Sequence, residues 1–333
     1  MNRSLLLLVL AVSGCSGTAG EVDAGAPFPD AGPFDAGPQP LKYTQYTRRA
    51  DGWPAGAHVL GAAVLDNVLF VASDQGVLSL AATETRWVEV TTPLTGDLKP
   101  TSLQRVDQSL VMTAAGATTG GLYVKAFDGA WAAVAAAPAK PAWQLVKKSA
   151  TWLLATTGGL YAAADLQGPW TRRSAVGTTL FTQPTTRLVA APAQQKLFAT
   201  GTTAALNGLF ESADLGITWV ASTPRGQVDA LTANGAIVLV STATDGQQRS
   251  DNYGNTFRPG TAPITSGVLT YVAQGTRLWA GGNGGLHSSD DDGATFTANA
   301  GGLPSGTAVR ALFFAGSYAL VDTADGPWLT QVE

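Results

Sequence analysis

The chain has 333 residues, of which 45% are apolar and 13% charged, with 39 glycines and a formal net charge of −4 at pH 7. That balance gives no basic field for nucleic acid, and no apolar run reaches the roughly 18–20 residues that a membrane-spanning helix needs. One large core built from many short strands and tight glycine turns fits the composition.

The single hydrophobic run, Leu5 to Val12, follows Asn2 and Arg3 and ends in Val12-Ser13-Gly14-Cys15. A short apolar stretch before small residues reads as an export signal. These residues resemble the lipobox of a bacterial lipoprotein signal peptide, which implies removal of residues 1–14 and acylation of Cys15. The resemblance also implies a lipid bilayer as partner and a place in the bacterial cell envelope; Ser16 where Asp could stand implies the outer membrane. The plainer alternative is a stray thiol in an ordinary signal peptide. Cys15 is the only cysteine, so the mature protein has no disulfide and no cysteine zinc site.

Residues 15–40 repeat Asp-Ala-Gly at Asp23, Asp30 and Asp35 among prolines and glycines. Such a run buries too little surface to fold and reads as a solvated tether with a mean reach of roughly 25–30 Å. Its spacing matches no calcium-ligand loop.

Residues 41–333 repeat with the period of a propeller blade. An aromatic after a turn recurs as Trp87, Trp131, Trp170, Trp219, Phe257 and Phe296, at intervals of 38 to 49 residues. Apolar runs from Val59, Leu103, Trp143, Thr186, Val228, Val268 and Val309 mark first strands. Stretches such as Val68-Leu69-Phe70-Val71 mark second strands, and third strands open on glycine, as in Gly159-Leu160-Tyr161. Only the fourth repeat is long, and its surplus is assigned to a loop from Gly201 to Asn207. Short strands between glycine turns make an antiparallel blade. Tyr46 to Val59 matches Phe296 to Val309 in an aromatic, Gly, bulky apolar residue, Pro, Gly and Val at equal offsets. The expected fold is therefore all-β: a seven-bladed β-propeller closed by an N-terminal strand that completes the last blade and leaves no sheet edge open.

The turn before the aromatic carries a motif. Ser212, Asp214, Gly216, Thr218 and Trp219 spell S-x-D-x-G-x-T-W; Ser289, Asp291, Gly293 and Thr295 repeat it with Phe296, and Ser250, Gly254 and Thr256 repeat it with Asn252 and Phe257. These copies resemble the Asp-box, or BNR repeat, of sialidase-like propellers. An Asp or Asn at the turn start bonds backbone N–H groups, Gly takes the positive φ, and the aromatic packs beneath. A structural role is expected for all of them, and in the resembling sialidases these boxes lie away from the active site.

Sialidase chemistry uses three arginines on a carboxylate, a Tyr and Glu pair and an Asp acid. No Arg-Ile-Pro type motif is present, and the domain's glutamates, Glu84, Glu89, Glu211 and Glu333, avoid the innermost strands. Arg105, Arg187 and Arg310 lie near first-strand starts as a candidate anion cradle. His58 and His287 stand in different blades with no cysteine or carboxylate at ligand spacing, so neither metal nor cofactor is expected. There is no phosphate loop and no nucleophile elbow. No catalytic set emerges.

The residue after each first-strand start is Leu60, Gln104, Gln144, Arg187, Asp229, Leu269 or Arg310, and the polar ones are candidates for the channel mouth. Trp53, Lys99, Lys140, Arg225 and Arg258 are placed by the interblade loops on the same face; Trp53 either recognises a ligand or packs in the slot held by Leu303. The expected function is a monomeric, non-catalytic, lipid-anchored envelope scaffold that binds a protein or glycan on that face. One alternative is a sialidase-like or xyloglucanase-like glycan-acting enzyme, which needs paired carboxylates across blades. Another rests on a resemblance to the photosystem II assembly factors, lipid-anchored seven-bladed rings whose arginines bind a partner protein.

Overall fold

The computed structural model describes residues 45–90, 92–126, 129–174, 187–191, 196–203, 206–260, 267–299 and 301–331. Cys15, the signal segment and the tether lie outside these residues. The described elements are strands, grouped as seven four-stranded antiparallel sheets. Their innermost strands are Val59–Leu65, Lys99–Val106, Ala142–Lys148, Leu188–Ala190, Val228–Asn234, Val268–Gln274 and Val309–Ala315. Each packs beside the innermost strands of its neighbours, and the seventh packs beside the first.

Six blades take their four strands in chain order. The seventh runs Val309–Ala315, Tyr318–Thr323, Gly326–Gln331 and then Thr47–Arg48 from the other end of the domain, with Thr47 opposite Leu329 and Arg48 opposite Trp328. Tyr46, only 2% exposed, anchors this strand among Trp279, Leu303 and Leu312, and its N–H bonds the Gly301 carbonyl at 2.6 Å. The outer edge of the last sheet is thereby paired.

The core lies between blades rather than inside any one of them. Seven buried clusters occupy the seven seams; the closing seam joins Val59, Leu69, Leu78 and Trp87 of blade one to Tyr318, Leu320 and Leu329 of blade seven. Second strands such as Ile237–Thr242 and Tyr318–Thr323 are buried along their whole length, because both of their faces meet another blade. That is why they read as continuous apolar runs rather than as alternations. Each buried leucine contributes about 1.5–3 kcal/mol against leaving it in water.

The three Ser-x-Asp/Asn-x-Gly-x-Thr turns share one hydrogen-bond pattern. Ser212 Oγ accepts from Gly216 N at 2.8 Å and donates to Asp214 Oδ1 at 2.8 Å, while Asp214 Oδ1 accepts from Thr218 N at 2.9 Å. Asn252 and Asp291 take the same bonds from Thr256 N and Thr295 N, at 3.0 and 2.8 Å. Trp219, Phe257 and Phe296 pack into the seam with the preceding blade. Desolvation works against the Asp214 carboxylate, but bonds from Thr218, Ser212 and Ile217 hold it down to about 2; the bonds of Thr295 do the same for Asp291. Carboxylates so occupied are turn fasteners.

Several expectations need correction. The second blade's inner strand begins at Lys99, not Leu103, because Pro100 is accommodated beside a bulge, and the third begins at Ala142, one residue before Trp143. The surplus of blade four is not a loop: Leu197–Thr203 and Leu206–Ser212 continue as a long hairpin, pairing Gly201 with Gly208 and Thr202 with Asn207. Backbone pairing, which has no side-chain signature, claims those residues.

Candidate functional site

One end of the ring gathers the starts of the innermost strands. Among the described residues, six of these strands slip register there, between Val59 and Gly61, Pro100 and Ser102, Ala142 and Gln144, Val228 and Ala230, Val268 and Thr270, and Val309 and Ala311. A bulge leaves its extra residue unpaired and re-aims its side chain. The bulged residues are Leu60, Thr101, Trp143, Asp229, Leu269 and Arg310, so Gln104 and Gln144 are not in this ring.

Two charged groups form on it. Arg187, at the matching end of blade four, is exposed and reaches two blades on, where its Nη2 donates to the Leu269 carbonyl at 3.4 Å. Its backbone N–H is fixed by Thr200 Oγ1 at 2.8 Å. Desolvation lowers the pKa of its guanidinium, and the charge of Asp229 opposes that effect. An arginine keeps its proton under such pressure. Asp229 Oδ1 accepts from Gln227 Nε2 at 3.0 Å.

The second group sits where the last blade meets the first. Arg310 Nη1 lies 2.7 Å from His58 Nδ1, and Asp322 Oδ2 lies 3.7 Å from the same nitrogen. Arginine can only donate, so His58 Nδ1 accepts in this pair. The His58 backbone N–H donates to Asp74 Oδ1 at 2.9 Å. The His58 side chain is 46% exposed and that of Asp322 only 2%. Desolvation pushes the Asp322 carboxyl up to about 6, against the opposing charge of Arg310 and a hydrogen bond from the Val59 backbone N–H. Asp322 Oδ1 is buried with no partner. The mouth thus holds a half-exposed imidazole between a guanidinium and a buried carboxyl that titrates near neutrality, an arrangement able to bind a polar group or to exchange a proton.

The other candidates fall elsewhere. Trp53 is partly buried against the closing seam, edge-on to Trp87 with centroids 5.3 Å apart, so it packs in the slot that Leu303 fills one blade earlier. Gln144 Oε1 accepts from Leu188 N at 2.8 Å and ties blade three to blade four. Gln104 is mid-strand, its Nε2 buried without a partner. Arg105 is at the far end of its strand, bonding the Asp107 carbonyl, and Arg258 pairs with Asp251 beside a box turn. Both lie at the opposite end of the ring from the mouth. His287 is buried, and burial lowers its pKa against a hydrogen bond that its ring donates to the Gly285 carbonyl. Among the described residues no group of three or more His, Cys, Asp or Glu is placed to hold a metal ion. His58, Asp74 and Asp322 escaped the sequence reading as a group, because ring closure, not spacing, unites residues 264 positions apart.

No protein family and no curated protein matches this sequence. Among solved structures, the chain is similar to YCF48 from Cyanidioschyzon merolae at 14% identity and a TM-score of 0.63, over 86% of this chain and 98% of that one. A structure of YCF48 bound to D1 peptide gives 13% identity and a TM-score of 0.63, covering 89% and 97%. A catalytically inactive virginiamycin B lyase from Staphylococcus aureus with quinupristin gives 11% and 0.63, covering 88% and 99%. Identities this low carry the propeller fold and nothing finer.

Proposed function

We propose that this protein is a non-catalytic binding scaffold, tethered to the envelope through an acylated Cys15, that recognises a partner protein segment at the channel mouth. The observation that carries this reading is the pair of charged groups gathered at the starts of the innermost strands, Arg187 with Asp229 and Arg310 with His58 and the second-strand Asp322. Both present hydrogen-bonding charge at the mouth from rigid strands, and such groups supply specificity in recognition. A peptide bound to YCF48, a propeller of the same fold, supports a protein segment over a glycan as the kind of partner. The three box turns support kinship with the Asp-box propellers.

The test uses the intact lipoprotein cross-linked in its own envelope. A defined partner is expected to co-purify, to be lost when Arg187 and Arg310 are both changed to Glu, and to be kept when the outer-strand Arg48 is changed to Glu. Cys15→Ser is expected to move the protein to the soluble fraction. A partner that survives the double reversal overturns the mouth reading, and membrane retention of Cys15→Ser overturns the anchor.

A glycan-acting enzyme is the second reading, and the His58, Asp74 and Asp322 cluster favours it. A carboxyl titrating near 6 beside an imidazole has the properties of an acid–base pair. Turnover of an oligosaccharide that disappears in Asp322→Asn would establish it; no turnover across a panel of envelope glycans would remove it.

A further inference from the structure

The end of the ring opposite the mouth holds a cavity of about 250 Å³ between the last blade and the first. Leu80, Tyr318 and Leu329 line it as buried residues, while Gln45, Glu84 and the part-buried Arg49 stand at its rim. The turn beside it differs from the one in blades three to six. In blades three to six, the turn before the fourth strand sets a positive-φ glycine onto the preceding blade: Gly168 onto Ala136, Gly216 onto Leu160, Gly254 onto Phe198 and Gly293 onto Leu239. Blade one has Ala81-Ala82-Thr83-Glu84-Thr85-Arg86 there, with no glycine to press inward. At the seam of blades five and six, Arg249 of the third strand donates to the Asp292 carbonyl of the box at 2.9 Å. Its counterpart in blade seven by register is Leu329, which faces the cavity instead.

We propose that this unfilled turn position binds one neutral sugar ring. A pyranose offers a C–H face and a rim of hydroxyls; the cavity offers a floor of two leucines and a tyrosine under a rim of carboxamide, guanidinium and carboxylate. Vicinal hydroxyls both donate and accept, which a rim holding Gln45, Arg49 and Glu84 answers in both directions. Arg49 and Gln45 supply the donors of that rim, and Glu84 and the Gln45 carbonyl supply the acceptors. Arg49 and Glu84 are opposite in sign, so the rim gives no field that selects an ion. The volume is below the roughly 300–1,000 Å³ of drug-sized sites, which limits the occupant to a single ring.

This site is at the other end of the ring from the mouth, so it stands or falls independently of the partner reading. Titration of the folded protein with glucose, galactose and N-acetylglucosamine, followed by backbone amide NMR, tests it. Saturable shifts are expected at residues 80–84 and 329–331 with at least one of the three sugars, with a Kd on the order of 1 mM. Glu84→Ala, on an exposed turn, is expected to weaken binding about tenfold, and Ala81→Trp, which fills the cavity, to abolish it. No saturable shift with any of the three, or equal affinity in the parent and Glu84→Ala, overturns the proposal.

Discussion

At the residue scale, one buried carboxyl and two fastened ones pull stability in opposite directions along the pH axis. Asp322 ionises near 6 in the fold against 3.8 as a free side chain, so its contribution to stability is complete below about pH 4 and is lost as pH rises through 6. Asp214 and Asp291 ionise near 2, so their contribution is present above about pH 4 and is lost as pH falls toward 2. From these groups, urea midpoints are expected to peak near pH 4. Asp322→Asn is expected to flatten the fall between about pH 4 and 6 while leaving the acid limb intact. An unaltered slope between about pH 4 and 6 in that variant would show that Asp322 is not its cause.

At the element scale, the box turns are joints between blades as well as turns. Gly254 has φ +78, and a Cβ there would sit 2.6 Å from the Phe198 ring of the preceding blade; Gly293 has φ +75 and would meet Leu239 at 2.9 Å. Gly275, at φ +58 in a hairpin turn, has open space around it. Gly254→Ala therefore combines backbone strain with overpacking and is expected to cost about 2–4 kcal/mol, whereas Gly275→Ala carries the backbone strain alone, about 1 kcal/mol. Urea unfolding of the two variants checks the difference; equal losses would mean that the turn glycine does not press on its neighbour.

At the scale of the whole molecule, stability depends on closure. The seam between the last and first blades joins residues 59–87 to residues 315–329, and its outer strand has only two paired residues, Thr47 and Arg48. Deleting residues 41–50 removes that strand together with the buried Tyr46 ring. The expected outcome is aggregation through the bare edge of Gly326–Gln331 and a thermal midpoint lower by several degrees. A monomeric deletion variant with the parent's midpoint would show that the clasp is dispensable.

The blade count, the strand order and the closing strand were legible in the chain itself, because the blades repeat a local pattern: glycine turns, a largely apolar second strand, and an aromatic after the turn that follows the third strand. The match of Tyr46–Val59 to Phe296–Val309 even located the clasp, since equivalent slots demand equivalent residues, as Trp53 and Leu303 or Gly52 and Gly302 attest. What sequence could not supply was register and long-range company. Strand starts at Lys99 and Ala142 instead of Leu103 and Trp143 took Gln104 and Gln144 off the mouth, while the bulge after Val309 left Arg310 on it. The meeting of His58 with Asp322, and the cavity beside Leu329, were decided only when the ring closed. Period and composition are properties of neighbours along the chain, whereas a site is made by groups that only the fold brings within a few ångströms.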